Sequence, residues 1–446
     1  MPASPSTARA INDRLALRLL QREGPLTAGQ LKELTGLSRP TVADLVERLA
    51  AAGLIEVVGE SGAQRRGPNA KLYGIVADRA HLAALDVRTE SVSVVVSDLL
   101  GKVLVEASVP IGDDAGTGPA VEQAVTLVER VAKEATAMAA PPREPVPEWG
   151  RLHTVGIGAP GLIDPAGGEL RDTSGLPQWH RRLVAVLQER FPDARVSVEN
   201  ETNLAALAEM RDGAARDRDT FVLLWLGMGI GAAVVLDGRL RRGASGGTGE
   251  IGFLPVPGTT GLPSATDCEG GFHSLASAGA VAALAAEHGL TASGGAGAEY
   301  AAEVVREAVG LAAGGGSPGA PAGRFLDALA DRVVLGAAAV TSVLDPGCLV
   351  LAGEVGRAGG EVLAERVQAR LARMSPLPTE VRATSLGGGA VLRGALLTAR
   401  DRAQEELFAP AASLRLGGPG GGQGPSSPPP GRSARDETLV DDDRKD

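Results

Sequence analysis

Up to Gly53 the chain places apolar side chains three and four positions apart, which is the spacing of one face of an α-helix. The pattern predicts three amphipathic helices, over residues 8–23, 27–36 and 38–53. Thr27 and Ser38 are favoured N-cap residues for the second and third helices. Glycines follow the apolar segments, as expected at helix ends. The head of the chain is therefore predicted to be helical.

Two short apolar runs follow these helices, at residues 54–58 and 71–75, and a polar loop separates them. Each run has the length and residue types of a β-strand, so a two-stranded hairpin is predicted. Three helices followed by a hairpin make a winged helix-turn-helix. In that motif the third helix enters the major groove of DNA, with its N-terminal residues leading.

Polar residues on the third helix and on the wing are the predicted DNA contacts: Ser38, Arg39, Thr41, Arg65, Arg66 and Lys71. Arg39 and Thr41 would reach base edges and Ser38 a phosphate. The wing residues would contact the DNA backbone or the minor groove. The alternatives are a winged domain that binds protein and an ordinary helical subdomain. The helix order, the short turn and the basic wing favour DNA binding.

From Leu82 onward short apolar strands alternate with helical segments, which is typical of α/β domains. Strands are predicted at 82–86, 91–96, 103–109, 155–158, 196–198, 221–226 and 232–236. Helices are predicted at 120–139, at 299–311 and from Leu204 onward. The predicted organisation is a winged domain at 1–78, an α/β body at 79–412 and a disordered Gly- and Pro-rich tail at 413–446.

Composition narrows the class of protein. The chain has 446 residues, too many for one ordinary core, with 44% hydrophobic and 22% charged residues. Two cysteines are too few for a disulfide framework, and no apolar run suits a signal peptide or a membrane helix. A cytoplasmic protein without membrane association is therefore predicted.

Charge is divided unequally between head and body. Residues 1–80 hold eleven Lys and Arg against eight Asp and Glu, whereas the whole chain has a net charge of −10. A basic head on an acidic body suggests that only the head meets nucleic acid.

Several segments of the body resemble one known family in both content and order. They are GIGAPGLID (156–164), TSGLPQWH (173–180), VENETNLAALAE (198–209), LGMGIGAAVVLDGRLRRGASGGTGEIG (226–252), LVLAGEVGRAG (349–359) and SLGGGAVLRGALLTA (385–399). These motifs resemble the ROK family of repressors, open reading frames and sugar kinases. The resemblance implies an actin-like ATPase fold of two α/β lobes with a sugar in the cleft. It also implies a homodimer or dimer of dimers.

The chain departs from the kinase branch of that family at three positions. The kinases open with Asp-x-Gly-Gly-Thr, whereas residues 86–90 here read Asp-Val-Arg-Thr-Glu. Arg88 and Thr89 thus replace glycines whose backbone N–H groups would surround phosphate. Glu201 stands at the position of the catalytic Asp base, and Met228 replaces a phosphate-turn Thr. We therefore expect no kinase activity, no catalytic residue and no cofactor.

The family's zinc site is also incomplete in this sequence. Phe253 stands at the zinc histidine, and Ser264, Thr266 and Gly271 stand at three zinc cysteines. A structural zinc ion needs four nitrogen or sulfur ligands. No metal is therefore predicted.

The resemblance implies which positions hold sugar hydroxyls. The matching residues are Asn200, Glu201, Glu250 and His273, with Phe253 at a fifth position that is usually polar. Carboxylates suit sugars because each accepts more than one hydroxyl hydrogen. The alternative for Asn200 and Glu250 is that they are only cap or turn residues retained by the fold.

The sequence therefore predicts a transcriptional regulator, by default a repressor, of carbohydrate-related genes. Its expected partners are double-stranded operator DNA, a sugar or sugar-derivative effector, and a second copy of the chain. One alternative is an active sugar kinase with a DNA-binding head, in which Glu201 still serves as the base. Another is a DNA-binding scaffold that ignores sugars and is controlled by a partner protein.

Overall fold

The structure is a computed structural model, and it describes residues 5–61, 70–112, 115–138, 150–171, 177–264, 266–314 and 320–409. Residues Met1–Phe408 form one compact unit. Residues Ala409–Asp446 form a second unit, of which only Ala409 is described. The predicted disordered tail at 413–446 therefore lies outside the described residues.

The head of the first unit contains three helices and a small sheet. Its helices are α1 (Pro5–Glu23), α2 (Ala28–Thr35) and α3 (Arg39–Ala51), and its strands are β1 (Leu26–Thr27), β2 (Ile55–Ser61) and β3 (Ala70–Ile75). The sheet has the order β1-β3-β2 with antiparallel pairs. The sheet therefore has three strands, whereas the sequence predicted a hairpin of two; the strand that was missed is β1. Leu26 and Thr27 pair with Tyr73 and Leu72, and a run of two residues shows no alternation in the sequence.

The short turns of the head are set by local hydrogen bonds. The Thr27 hydroxyl accepts from the Gln30 N–H (3.2 Å), and the Gln30 side chain accepts from the Thr27 N–H (2.9 Å), which completes a capping box. Gly36 ends α2 in the left-handed region (φ 71°), where glycine avoids a Cβ clash. These caps confirm the predicted starts of the second and third helices.

The first lobe of the body is a five-stranded sheet with helices on both faces. Its strands are β4 (His81–Val87), β5 (Ser91–Asp98), β6 (Val103–Pro110), β7 (Leu152–Ala159) and β8 (Arg195–Asn200). Their order is β6-β5-β4-β7-β8, with antiparallel pairs on the β6 side and parallel pairs on the β8 side. Helices α4 (Thr117–Met138) and α5 (Gln178–Arg190) share one apolar core with this sheet.

The second lobe repeats the strand order of the first. Its strands are β9 (Phe221–Leu226), β10 (Ile230–Leu236), β11 (Arg239–Arg241), β12 (Cys348–Ala352) and β13 (Glu380–Ala383). Their order is β11-β10-β9-β12-β13, again antiparallel and then parallel. The helices around it are α7 (His273–Ala276), α8 (Ala278–Glu287), α9 (Gly297–Ala313), α10 (Pro321–Leu344) and α11 (Gly353–Met374), the last kinked at Gly360.

Two helices connect the lobes: α6 (Glu201–Asp212) and α12 (Ala390–Leu407). Helix α6 contacts strands of both sheets, and α12 packs on α6, β4 and β7. The predicted helix start at Leu204 is three residues late, because Asn200 caps the helix and α6 begins at Glu201. One buried apolar cluster continues from the head through Ala80 and Leu82 to these two helices.

The link between head and body is fixed by polar contacts. Residues Ala77–Arg79 form a 3-10 turn whose Ala77 carbonyl accepts from the Leu99 N–H (2.9 Å). The guanidinium of Arg151 lies 2.8 Å from the Asp78 carboxylate. The Gln404 side chain in α12 donates to the Leu99 carbonyl (2.9 Å). The linker is therefore held by the first sheet and by α12 together.

Among the residues that the structure describes, no helix is both long enough and apolar enough to cross a membrane.

Candidate functional site

The exposed N-terminus of α3 holds the residues predicted to contact base pairs. Arg39 is exposed, with no hydrogen bond or ion pair to the described part of the chain. Ser38 caps the helix by accepting from the Thr41 N–H, and the two hydroxyls lie 2.8 Å apart. The guanidinium N–H donors of Arg39 are therefore not used by any described residue at this end of the helix.

The wing is described only in part. Lys71 is exposed on β3, opposite Glu60 of β2. Arg65 and Arg66 lie outside the described residues, so their placement relative to α3 stays a prediction. Lys71 places one positive charge on the wing strand itself.

Arg48 fixes the orientation of α3, a role that the sequence did not reveal. One guanidinium nitrogen lies 2.6 Å from the carboxylate of Asp13 in α1, and the other contacts Asp44 one turn earlier. Such paired contacts position a helix more than they stabilise it, since partly exposed ion pairs contribute little. Arg48 thereby ties the predicted reading helix to α1.

A second group of polar residues lies where the two lobes meet. Arg88 follows β4; its Nε donates to Asp86 (3.1 Å), and its Nη1 donates to Glu354 (2.5 Å) at the start of α11. Asp86 is 6% exposed and Glu354 is 8% exposed. One guanidinium therefore joins a carboxylate of each lobe. Glu354 lies in the LVLAGEVGRAG motif (349–359). Its place in that motif is the feature of the sequence that could have identified it as a site residue.

His180 lies behind this ion bridge. It is buried in α5, stacks edge-on against Trp179, and places Nε2 3.3 Å from the backbone oxygen of Arg88. Burial lowers the pKa of His180 to about 4, so the ring is neutral near pH 7 and Nε2 is the donor. His180 therefore fixes the main chain that carries Arg88.

Asn200 is occupied by structural hydrogen bonds. Its side-chain oxygen accepts from the backbone N–H groups of Thr202 and Asn203. Its amide nitrogen donates to the Gly161 carbonyl (3.1 Å) and to the Glu201 carboxylate (3.3 Å). An amide has two acceptor sites and two donor hydrogens, so these contacts use its capacity. The geometry agrees with the cap alternative for Asn200.

Glu201 is the first residue of α6 and has a strongly shifted titration. Burial, with smaller contributions from the nearby carboxylates of Asp86 and Glu250, raises the pKa of Glu201 to about 8, against the lowering effects of a backbone hydrogen bond and of Arg88. At neutral pH the side chain is therefore mostly the neutral acid. A neutral carboxylic acid donates one hydrogen bond and accepts others, which suits a hydroxyl-bearing ligand.

This shift predicts a pH dependence of stability. The contribution of Glu201 to the free energy of unfolding should fall as pH rises from about 4.5 to about 8, because across that range the folded protein keeps on Glu201 a proton that the unfolded chain releases. Glu201→Gln should flatten this part of the profile, whereas Glu405→Gln on the exposed face of α12 should not. Urea unfolding at several pH values in that interval measures both. If the free energy of unfolding depends on pH in Glu201→Gln as it does in the wild-type protein, the retained proton belongs to another group.

Glu250 directly precedes the turn at Ile251–Phe253, and a Cβ at Gly252 in that turn would lie 3.7 Å from the Cβ of His273. The Phe272 N–H donates to the Leu254 carbonyl (2.8 Å), which brings the start of α7 against this turn. Desolvation raises the pKa of Glu250 and lowers the pKa of His273. Because the Glu250 charge also acts on Glu201, these carboxylates share one electrostatic environment.

The region where the family holds zinc contains few ligands. Cys268 is partly exposed, and desolvation raises the pKa of its thiol. Phe253, at the position of the zinc histidine, is exposed. Within the described ranges, no group of three or more His, Cys, Asp or Glu side chains is arranged to hold a metal ion. The prediction of no zinc stays a prediction.

Comparison with protein-family models matches residues 118–402 to the ROK family and residues 11–67 to the MarR family. The first match covers more than half of the chain, and the second covers most of the winged head.

Comparison with curated proteins finds sugar-named repressors. The xylose repressor of Caldicellulosiruptor bescii is 26% identical over 250 residues, which is 56% of this chain and 59% of that protein. The DNA-binding transcriptional dual regulator NagC of Escherichia coli is 27% identical over 250 residues, 56% of this chain and 58% of that protein. The match thus spans about three fifths of the length of these relatives.

Solved structures share the fold. A ROK-family transcriptional regulator, a homologue of the E. coli MLC protein, covers 92% of this chain and 99% of its own, with a TM-score of 0.68 and 18% identity. A ROK hexokinase from Thermus thermophilus covers 73% of this chain and 99% of its own, with a TM-score of 0.54 and 27% identity. These likenesses confirm the predicted combination of a winged head and a two-lobed body.

Proposed function

This chain belongs to the ROK family, and from that premise we propose that it is a DNA-binding transcriptional repressor controlled by a sugar or sugar derivative. The observation that carries the proposal is the head: a MarR-type winged helix whose α3 presents an exposed Arg39 that has no hydrogen bond or ion pair to any described residue. Relatives named as xylose and N-acetylglucosamine repressors support a carbohydrate effector. A repressor works where its operator DNA is, so we place this protein in the cytoplasm.

We propose further that the body senses a sugar without phosphorylating it. A kinase base must accept the hydroxyl proton, and the raised pKa of Glu201 keeps that carboxyl mostly protonated at pH 7. Arg88 stands where the family resemblance implies a phosphate-binding glycine, and its side chain is held by the carboxylates of Asp86 and Glu354. Both features support a binding domain in place of an enzyme.

The effector contacts that we propose are Glu201, Glu250 and His273. Asn200 would act through Glu201, which its amide orients, since its own hydrogen-bonding capacity is used. Two copies of the chain would place two heads on a pseudo-palindromic operator with half-sites about one or two helical turns apart. Effector binding between the lobes would change the head spacing through the linker at residues 77–81.

The test is binding of the purified chain to DNA from its own upstream region at fixed salt, titrated with a library of sugars. A sugar that shifts the retarded band supports the proposal and identifies the effector class. Tight DNA binding that no sugar alters would support the assignment of the head as a DNA reader. It would also mean that the body is a scaffold controlled by something other than a sugar. Absence of sequence-selective binding would overturn the proposal.

Arg39→Ala tests the reading helix. The substitution should weaken operator binding by about 1–3 kcal/mol, roughly 5- to 150-fold, if the guanidinium contacts a base. Arg373→Ala removes the same charge from an exposed position in the second lobe and should leave operator affinity unchanged. Fluorescence anisotropy with operator and scrambled DNA measures both. Retained selectivity in Arg39→Ala would remove this residue from the reading surface.

The likeness to the T. thermophilus hexokinase favours one second candidate, an active sugar kinase with a DNA-binding head. ADP release from Mg-ATP with a panel of hexoses and N-acetyl sugars tests it. Turnover that Glu201→Gln abolishes would establish that alternative.

A further inference from the structure

We propose that Arg88 is an internal cation that ties the two lobes together at the position where the family's kinases place a nucleotide. The tie lets the cleft close around its effector with no second ligand. The proposal describes how the proposed sensor is regulated, but its test below needs neither DNA nor sugar.

The placement of Arg88 is the first step. Arg88 lies in the turn after β4, and its guanidinium reaches the start of α11; the turn between β9 and β10 lies next to Glu354. Its guanidinium donates to Asp86 from the first lobe and to Glu354 from the second. The two carboxylates are separated by 268 positions in the sequence, and opposite lobes supply them. Opening the cleft at this point would break one of these contacts.

The second lobe is shaped to receive the bridge. A Cβ at Gly227 in the β9–β10 turn would lie 2.4 Å from an oxygen of Glu354, so the carboxylate occupies the space directly over that turn. Gly353, which precedes Glu354, has φ 77°, a conformation that turns the chain sharply from β12 into α11. The family resemblance implies that the β9–β10 turn contacts phosphate in the kinases. Here the Glu354 carboxylate lies beside that turn and would repel a phosphate.

The first lobe holds Arg88, the other end of the ion bridge, in place. His180 holds the backbone oxygen of Arg88, and the Asp86 carboxylate fixes the side chain. Asp86 and Glu354 are nearly buried, whereas the Arg88 side chain is 38% exposed, so water screens only the arginine side of the bridge. Removal of the arginine would leave two buried carboxylates without a cation, so both would gain by moving into water. The bridge therefore opposes lobe opening more strongly than a surface ion pair would.

Hydrogen exchange of the full-length protein, read by mass spectrometry, tests the tie. Arg88→Met and Glu354→Gln should each speed exchange in peptides covering residues 86–91, 226–230 and 353–357 by about tenfold, the factor that ~1.4 kcal/mol represents. The double variant should exchange no faster than either single variant, since both remove the same contact. Arg366→Met breaks an ion pair with Asp327 inside the second lobe and should leave these peptides unchanged.

Unchanged exchange in Arg88→Met, or additive effects in the double variant, would overturn the proposal. If Arg88→Met fails to fold, Arg88→Lys replaces it; an ammonium keeps the charge but loses the fork geometry, so smaller but measurable acceleration is expected. Protection of the same peptides by Mg-ATP in the wild-type protein would also overturn it, because a nucleotide would then bridge the lobes. If no sugar changes DNA binding by the protein, the proposed sugar sensor is contradicted, but the hydrogen-exchange results on the Arg88 bridge remain valid.

Discussion

Glu209→Ala is expected to lower the free energy of unfolding by about 3–5 kcal/mol, because several buried donors lose their shared acceptor at a cost of ~1–3 kcal/mol each. Glu209 is 0% exposed near the end of α6. Its carboxylate accepts from the backbone N–H groups of Ala214 (2.6 Å) and Ser385 (3.2 Å), and from the Thr384 hydroxyl. Alanine would leave these donors buried without an acceptor and would open a cavity beside them.

The position of Glu209 explains why the effect should be large. The residue joins α6 to the segment that leads from β13 into α12, so its loss loosens the connection between both lobes. Urea unfolding followed by circular dichroism measures the change. Glu405→Ala is the control, because that acid is exposed on α12 and its loss should change stability by less than about 0.5 kcal/mol. Equal midpoints for the two variants would show that the Glu209 contacts contribute nothing.

Gly394→Ala is expected to destabilise the protein by about 1–3 kcal/mol, although alanine is the better helix former. A Cβ at Gly394 in α12 would lie 2.0 Å from the carbonyl oxygen of Leu204 and 2.5 Å from its carbonyl carbon. These are backbone atoms of α6, so no rotamer change relieves the clash and the helices must separate. The gain in helix propensity, about 1 kcal/mol, is smaller than the cost of that separation.

Gly310→Ala is the matched control for this prediction. Gly310 lies inside α9, and a Cβ there would meet nothing within 4 Å. The control should therefore raise the unfolding midpoint while Gly394→Ala lowers it. A rise in both would mean that α6 and α12 adjust without strain. Because α6 begins at Glu201, separation of these helices should also weaken effector binding if the proposed site is right.

The head was largely predictable because its structure is encoded locally. Thr27 and Ser38 were recognisable as caps, and each makes its hydrogen bond within three residues. Strand pairs such as β4 with β5 also followed from alternation and an intervening turn. The short strand β1 was missed because two residues carry no periodic signal. The start of α6 was missed because the cap at Asn200 lies before any apolar spacing begins.

The inter-lobe site was less predictable because its contacts join distant parts of the chain. The sequence indicated only that Arg88 replaces a glycine whose backbone N–H group would contact phosphate. The structure instead pairs Arg88 with Glu354, 266 positions away, and no spacing rule reports such a pair. His180 lay within a recognised motif, but its hydrogen bond to the Arg88 backbone depends on how α5 packs.

The contact of Gln404 with Leu99 has a consequence for how the protein is made. These residues are 305 positions apart, so a ribosome adding about 5–20 residues per second reaches Gln404 roughly 15–60 s after Leu99. The winged head has its own caps and is expected to fold early. Its linker gains the last of its supports only when α12 emerges. We therefore expect a nascent chain to acquire a folded DNA reader well before that reader has a fixed orientation, so that half-site spacing is set at the end of translation.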